Sequence, residues 1–238
     1  MTRIINSSLL NLIFAILIAG LASNAFSEET KRPGELAGCD PKLIDRLLAV
    51  MEVEIIPVTQ EGVRNGNKVF GAAMLKKSDL STIIIGTNTE TENPLWHAEV
   101  YTINQYYEMV NKDESKRVDP KDVIFFATHE PCTLCSSAIS WGGYDNFYYL
   151  FSHEDSRDAF NIGHDLQILK EVFRHDPGGY ARQNKYWTAY SAVDLINNCD
   201  AATQAGFLDR VNRIKRKYSE MSDIYQANKT KAKNIPLK

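Results

Sequence analysis

The chain is predicted to be an α/β protein, a three-layer α/β/α sandwich around one mixed five-stranded sheet, with a C-terminal helical extension. Apolar, β-branched runs typical of strands alternate with amphipathic segments of helical period between residues 39 and 198. A helical segment separates the last two predicted strands, and strands joined through a helix usually lie parallel. With 238 residues, 44% of them hydrophobic, the chain is long enough for one domain with extensions.

The predicted elements follow in a simple order. A first helix begins at Asp40-Pro41, which supplies an N-cap residue and then a proline in the first turn. The predicted strands are Val69–Leu75, Ile83–Thr87, Val123–Thr128, Phe147–Phe151 and Tyr186–Tyr190. Further helices are predicted after His97, after Pro131, from Gly163 to about Phe173, from Ala192 to Asn197, and from about Thr203 to Tyr225.

Two short motifs carry the chemistry of the chain. They are His97-Ala98-Glu99 and the segment Pro131-Cys132-Thr133-Leu134-Cys135. One imidazole and two thiolates are three good ligands for a tetrahedral Zn²⁺ and leave a fourth position for water. Glu99 lies two residues past His97, close enough to contact that water without binding the metal. An open three-ligand site beside a carboxylate is typical of hydrolytic zinc, so one zinc ion per chain is expected.

The local sequence agrees with a metal site. Pro131 is suited to the first turn of a helix, which places both cysteines where the helix dipole favours thiolates. His97 also begins a helix-like segment shortly after Pro94. The alternative for the cysteine pair is a thioredoxin-like dithiol, but a redox pair needs no His-x-Glu motif. A structural zinc would need a fourth protein ligand, and Glu99 is not of the usual type.

The order His-x-Glu followed by Pro-Cys-x-x-Cys resembles the signature of zinc-dependent nucleobase deaminases. On these motifs the chain is similar to the cytidine and deoxycytidylate deaminase superfamily. The segment Glu130–Trp141 is similar to the branch that holds guanine deaminases and tRNA adenosine deaminases, and a parallel final strand pair also characterises that branch. The resemblance implies a cytidine deaminase-like fold, hydrolytic deamination of a small-molecule base or nucleoside, and a homodimer.

The resemblance also implies roles for individual residues. Glu99 is the expected catalytic proton shuttle, and Asn88 and Asp165 are expected to bind the substrate. Trp141 is expected to form pocket wall or core. Asn88 as a simple turn residue and Asp165 as a helix N-terminal residue remain open alternatives. A guanine-like purine is the favoured substrate; the alternatives are a deaminase of single-stranded nucleic acid or of a cytidine-type nucleotide, and a secreted effector or binding protein without turnover.

The first 25 residues have the pattern of a signal peptide. Arg3 supplies a positive start, Leu9–Ala22 is an apolar run, and Ser23-Asn24-Ala25 offers a small-x-small cleavage site. Cleavage after Ala25 would export the protein, either to the periplasm or as a secreted protein, without a stable membrane anchor. An uncleaved anchor remains the alternative. Residues 26–38 are polar, with Pro33 and two glycines, and are predicted to form a linker.

Export changes the interpretation of the remaining two cysteines. Cys39 and Cys199 flank the predicted domain, and an oxidising compartment favours a disulfide between such a leftover pair. Two separate small buried residues are the equally weighted alternative.

Charge is distributed unevenly along the chain. The net charge of −3 argues against a general nucleic-acid-coating surface. Residues 199–238, however, form a basic helical extension in which nine lysines and arginines after Asp209 face few acidic residues. A solvated helix with a frayed end is favoured over a phosphate-binding tail, so a nucleic-acid partner is disfavoured.

Overall fold

The computed structural model describes residues 38–176 and 178–238. The predicted signal peptide (1–25) and all but the last residue of the predicted linker (26–38) lie outside the described residues. Within the described ranges, no helix combines the length and apolar character needed to cross a membrane.

Helices begin where the sequence supplies capping groups. The Asp40 carboxylate accepts a hydrogen bond from the Leu43 backbone N–H at 3.0 Å, and Pro41 is the first residue of the first helix. A π-helical stretch, Val50–Ile55, joins the first two helices into one continuous element. The described residues form helices α1 (Pro41–Ala49), α2 (Ile56–Arg64), α3 (Ala98–Lys112), α4 (Thr133–Trp141), α5 (His153–Asp158), α6 (His164–Glu171), α7 (Ala192–Asn197) and α8 (Ala201–Asn228).

Five strands form one mixed sheet, as predicted. They are β1 (Gly71–Lys76), β2 (Thr82–Thr87), β3 (Val123–His129), β4 (Asn146–Phe151) and β5 (Thr188–Ser191). The strand order is β2-β1-β3-β4-β5; β1 is antiparallel to both of its neighbours, and β3, β4 and β5 are mutually parallel. The parallel pairing of β4 with β5 confirms the prediction drawn from the helical segment between them.

Side chains of each strand alternate between two cores. On β3, Ile124 and Phe126 pack with α1, α2, α7 and α8, whereas Val123 and Phe125 pack with α3 and α4. A strand that is buried on both faces has a continuous apolar sequence, and this pattern predicted β3. Helices therefore cover both faces of the sheet and confirm the three-layer sandwich.

Helix α8 is part of the main core. Ile214, Tyr218, Met221 and Tyr225 are at most 1% exposed and belong to the same cluster as α1 and α2. The region predicted as an extension (199–238) thus shares its core with the region predicted as the domain (39–198).

Several basic side chains of α8 are engaged in ion pairs. The Arg210 guanidinium lies 2.6 Å from a carboxylate oxygen of Asp45, on α1, and 2.7 Å from a carboxylate oxygen of Glu52, in the π-helical stretch. Lys215 pairs with Asp155 at 2.7 Å. These ion pairs offset part of the predicted basic charge with acidic partners on α1, α5 and the π-helical stretch.

Helix α5 was not predicted. Its N-terminus is a capping box in which the Ser152 hydroxyl accepts from the Asp155 N–H and the Asp155 carboxylate accepts from the Ser152 N–H. The Ser-x-x-Asp spacing was a readable signal for this helix.

Cys39 and Cys199 form a disulfide in the structure, with their Cα atoms 4.8 Å apart. Cys39 directly precedes Asp40, the N-cap residue of α1, and Cys199 lies in the turn between α7 and α8. The bridge therefore joins two elements of one core across 160 residues of sequence.

Removing this bridge should destabilise the fold. In the chain-entropy model, closing so long a loop stabilises by up to about 5 kcal/mol, and measured bridges typically give about 2–4 kcal/mol. Replacing both cysteines with serine should lower the free energy of unfolding by that amount, as measured by urea unfolding without reductant. Reductant should lower the stability of the wild type but leave the double variant unchanged. Equal stability of the two proteins would contradict the prediction.

Candidate metal centre

The sheet brings the two chemical motifs to one edge. Because β2 and β3 are both antiparallel to β1, they point the same way and their carboxyl ends lie at the same edge. The loop after β2 leads to His97, the N-cap residue of α3, and the loop after β3 leads to Cys132, the N-cap residue of α4. Both helix starts fall where predicted, and the carboxyl edge of a sheet is the usual location of α/β ligand sites.

The three predicted ligands form a compact triangle. His97 Nδ1 lies 3.4 Å from Cys132 Sγ and 3.6 Å from Cys135 Sγ, and the two sulfur atoms are 3.5 Å apart. A tetrahedral zinc ion bonds sulfur at about 2.3 Å and nitrogen at about 2.0–2.1 Å, which requires ligand atoms about 3.5–3.8 Å apart. The triangle therefore fits zinc, with Nδ1 as the ligating nitrogen of His97.

Glu99 lies beside this triangle. It is in the first turn of α3, is only 6% exposed, and places Oε2 3.2 Å from Cys135 Sγ. Burial is the main reason why the pKa of Glu99 is raised to about 7. The carboxylate is thus held at the edge of the ligand set, where it is available to a water in the fourth position.

The ligand side chains perturb one another electrostatically. The hydrogen bond from Cys135 holds the pKa of the Cys132 thiol well below its usual range, and His97 adds to this effect. Burial lowers the pKa of His97, but the Cys132 sulfur and the carboxylates of Glu90 and Glu99 outweigh burial and raise it to about 9. Burial also raises the pKa of the Cys135 thiol. A dication that neutralises both sulfurs would relieve this crowding of buried charge.

A cavity of about 280 Å³ opens onto the triangle. His97 and Cys132 lie at its metal end, and Asp165 and Lys68 also line it. The remaining lining is largely apolar, contributed by Phe70, Pro94, Leu95, Leu134, Ile162, Ile168, Pro236 and Leu237. This combination of apolar walls and a few polar groups is typical of a small-molecule site.

Asp165 lies in this cavity, as predicted for a substrate-binding residue. It is in the first turn of α6, and burial raises the pKa of its carboxyl group to about 6. Near neutral pH the group is therefore a carboxylate that readily accepts a proton, which suits a hydrogen-bonding partner for a heterocycle.

The Asn88 side chain is held by neighbouring groups at the end of β2. Its side chain is fully buried, and its amide nitrogen donates to Glu90 Oε2 at 2.7 Å. Its amide oxygen accepts from the backbone N–H groups of Lys68 and Glu90, each at 3.3 Å. These contacts fix the orientation of the amide next to Glu90, and the role of Asn88 in substrate binding stays a prediction.

Glu90 and Lys68 are functional candidates that the sequence interpretation missed. Lys68 Nζ pairs with Glu90 Oε1 at 2.9 Å, and both side chains are at most 5% exposed. The same Glu90 oxygen lies 3.7 Å from His97 Nε2, on the side of the ring away from the sulfurs. A carboxylate facing the outer nitrogen of a ligating histidine commonly orients the ring and strengthens metal binding. The signal available for Glu90 was the presence of two acidic residues, Glu90 and Glu92, in the loop between Asn88 and His97.

The structure corrects the prediction for Trp141. Its side chain is 90% exposed and does not line the cavity. Helix α4 turns by about 100° per residue, so Trp141 lies about 200° around the helix from the buried Ile139. The face of α4 that carries Cys135 and Ile139 is buried, and Trp141 projects from the opposite face.

Comparisons with known proteins agree with this geometry. Residues 49–151 match the family model described as the cytidine and deoxycytidylate deaminase zinc-binding region. Guanine deaminase from Bacillus subtilis is 33% identical over 116 residues, which cover 47% of this chain and 68% of that protein. The chain belongs to this deaminase family.

Two further comparisons show weaker similarity. The tRNA-specific adenosine deaminase 2 of Xenopus tropicalis is 29% identical over 85 residues, which cover 34% of this chain and about half, 49%, of that protein. The X-ray structure of the Bacillus subtilis guanine deaminase superposes with a TM-score of 0.42 and 26% identity over 58% of this chain and 85% of that one. Family membership confirms the predicted resemblance and, with the ligand triangle, identifies the chain as a zinc-binding aminohydrolase.

Glu90 should influence metal affinity. Replacing Glu90 with Gln removes the negative charge that faces His97, and loss of such a partner typically weakens metal binding about 10–100-fold. The zinc dissociation constant, measured by chelator competition, should rise accordingly. Glu92→Gln is the matched control, since Glu92 is exposed in the same loop. Glu90→Gln also leaves the Lys68 ammonium group without its carboxylate partner. The double variant Lys68→Met, Glu90→Gln removes that charge as well and should still bind zinc weakly. Wild-type affinity in both variants would exclude a role for Glu90.

Proposed function

We propose that this protein is a hydrolytic deaminase of a free purine base or of the corresponding nucleoside. A guanine-like base is the first candidate substrate. The observation that carries the proposal is the Asp165 carboxyl group in the same cavity as His97 and Cys132. A carboxyl group there offers a hydrogen-bonding partner to the ring N–H and amino groups of a purine while the reacting carbon faces the metal end. The similarity to a protein named guanine deaminase supports the same choice.

The size and walls of the cavity favour a small flat substrate. Its volume of about 280 Å³ is at the low end of the range of about 300–1,000 Å³ for ligand pockets. Leu95, Leu134 and Ile168 provide apolar surface for a heterocyclic ring. The Lys68 cation is already paired with Glu90, which makes a nucleotide phosphate a weaker candidate.

The chemistry requires a nucleophilic water and a group that moves protons. When bound by His97, Cys132 and Cys135, zinc supplies a Lewis acid that activates water. Glu99 accepts the proton that the attacking water loses and passes it to the ring nitrogen, which makes the carbon a better electrophile. Glu99 then carries the second water proton to the amino group. The carbon gains oxygen as its bond to nitrogen breaks, and ammonia leaves.

The other candidate functions have less support. A single-stranded nucleic-acid deaminase would need a free basic surface, and Arg210 and Lys215 are paired with acidic residues. A binding protein or effector without turnover would not need Glu99 beside the ligand triangle. Homodimer formation stays a prediction.

We also propose that the folded protein acts outside the cytoplasm, in the periplasm or as a secreted protein. The signal-peptide pattern of residues 1–25 motivates the proposal, and the Cys39–Cys199 disulfide supports it because such bonds persist in oxidising compartments. N-terminal sequencing of the protein from the extracytoplasmic fraction should find a chain that begins at Phe26. An intact Met1 on cytoplasmic protein with reduced Cys39 would overturn it.

Glu99 is the residue that separates an enzyme from a binding protein. Glu99→Gln keeps the shape and the hydrogen-bonding capacity of the side chain but removes the base. Turnover should fall by roughly 10²–10⁴-fold while zinc content and ligand affinity are retained. Single-turnover deamination and calorimetric binding measure the two effects separately. Glu108→Gln is the control, since Glu108 is exposed on the same helix; wild-type rates in the Glu99 variant would refute the mechanism.

Substrate choice is tested by ammonia release from a panel of purine and pyrimidine bases, nucleosides and short single-stranded oligonucleotides. We expect the highest kcat/KM with guanine-like bases. Asp165→Asn should lower that value by roughly 10–100-fold, the range that corresponds to a lost hydrogen bond to a charged group, with zinc content unchanged. Glu171→Gln, an exposed change on the same helix, should have no effect. A preference for oligonucleotides, or no activity on any member of the panel, would favour the alternative functions.

A further inference from the structure

The chain does not leave the molecule after α8 but returns to the cavity. Ala232 and Ile235 are 8% and 1% exposed, so this segment is packed against the body of the protein. The Asn234 side-chain amide donates a hydrogen bond of 2.7 Å to the Thr91 carbonyl, in the loop that leads to His97. These contacts anchor the segment to one wall of the cavity.

The following residues reach the opposite wall. Pro236 and Leu237 line the cavity together with His97, Cys132 and Asp165. The main-chain oxygen of Lys238 lies 3.2 Å from His164 Nε2, at the start of α6. The segment therefore crosses the cavity from the loop that precedes α3 to the helix that carries Asp165.

We infer that residues 232–237 form a strap that sets the size of substrate the metal centre admits; the substrate side of this inference rests on the proposed function. A strap lined by Pro236 and Leu237 leaves room for a flat heterocycle but blocks a polynucleotide strand or a bulky ring substituent. Pro236 and Leu237 keep contact with solvent, whereas Ile235 is only 1% exposed. Entry of a larger molecule thus requires the strap to lift from its Ile235 anchor, which costs the burial of that side chain.

Two strap variants and one control test this inference on the full-length zinc-loaded protein. Pro236→Gly with Leu237→Gly removes the side chains that narrow the cavity and leaves the anchors in place. Ile235→Asp removes the buried anchor. Lys233→Ala is the control, because Lys233 is exposed and does not line the cavity. Metal content and circular dichroism establish that each variant is folded.

The probe is a pair of chelators with the same donor atoms and different bulk, phenanthroline and bathophenanthroline disulfonate. The rate at which each removes zinc from the protein reports on access to the metal centre without requiring turnover. We expect the strap variants to lose zinc to the bulky chelator about tenfold faster, which corresponds to a barrier to chelator entry that is lower by about 1.4 kcal/mol. Rates with the small chelator, and both rates in the control, should be unchanged.

Each outcome has a clear meaning. A selective gain for the bulky chelator in either folded strap variant supports the strap even if the wild type proves inactive on every purine, in which case only the proposed substrate fails. Equal acceleration of both chelators would show a general loosening of the metal site and would overturn the inference. Unchanged rates in both variants would also overturn it. With an active enzyme, the strap variants should gain kcat/KM for nucleosides relative to free bases.

Discussion

The common direction of β2 and β3 is the constraint on which the metal centre depends. β1 pairs antiparallel with both strands, so the chain leaves β2 and β3 at the same edge and starts α3 and α4 side by side. One residue of strand is about 3.3 Å long, nearly the full edge of the ligand triangle, which measures 3.4–3.6 Å. A register shift of one residue in either pairing would therefore separate the ligands. Gly86 secures α3 against β2, since a Cβ there would lie 2.3 Å from the Thr102 hydroxyl oxygen.

Burying the site concentrates negative charge, and its surroundings are built to balance that charge. Two sulfurs and the Glu99 carboxylate meet within a few ångströms, and Glu90 adds a second buried carboxylate behind His97. An unpaired buried carboxylate is very costly, and Lys68 and the Asn88 amide provide the partners that Glu90 needs. Zinc would supply the balancing charge on the other side, because its ligands are the two sulfurs. Metal binding and folding of this edge are therefore expected to be coupled.

The sequence predicted the features that depend on local pattern. The strands, the parallel final pair, and the placement of His97 and Cys132 at helix starts all follow from periodicity, capping residues and connection lengths. Long-range contacts were harder to predict. Asn88 follows a strand as expected, but its hydrogen bonds to Glu90 and to the backbone of Lys68 depend on the folded structure, and no local pattern indicates them. The prediction that Trp141 forms pocket wall or core was wrong because it rested on the resemblance to the deaminase family. The position of Trp141 around α4 was not considered.

In the C-terminal region, the number of basic residues in the sequence does not indicate how they are paired in the fold. The basic run suggested a solvated or phosphate-binding tail, yet Arg210 of α8 pairs with Asp45 and Glu52, more than 150 residues earlier in the chain. An α-helix of 28 residues is about 42 Å long, enough to cross the whole sheet. Helix α8 begins next to the disulfide at Cys199, packs into the core between Val211 and Tyr225, and ends where the chain can turn back to Ile235. The helix predicted as a C-terminal extension thus carries the chain from the disulfide to the cavity, and it shares one core with the sheet that positions the metal centre.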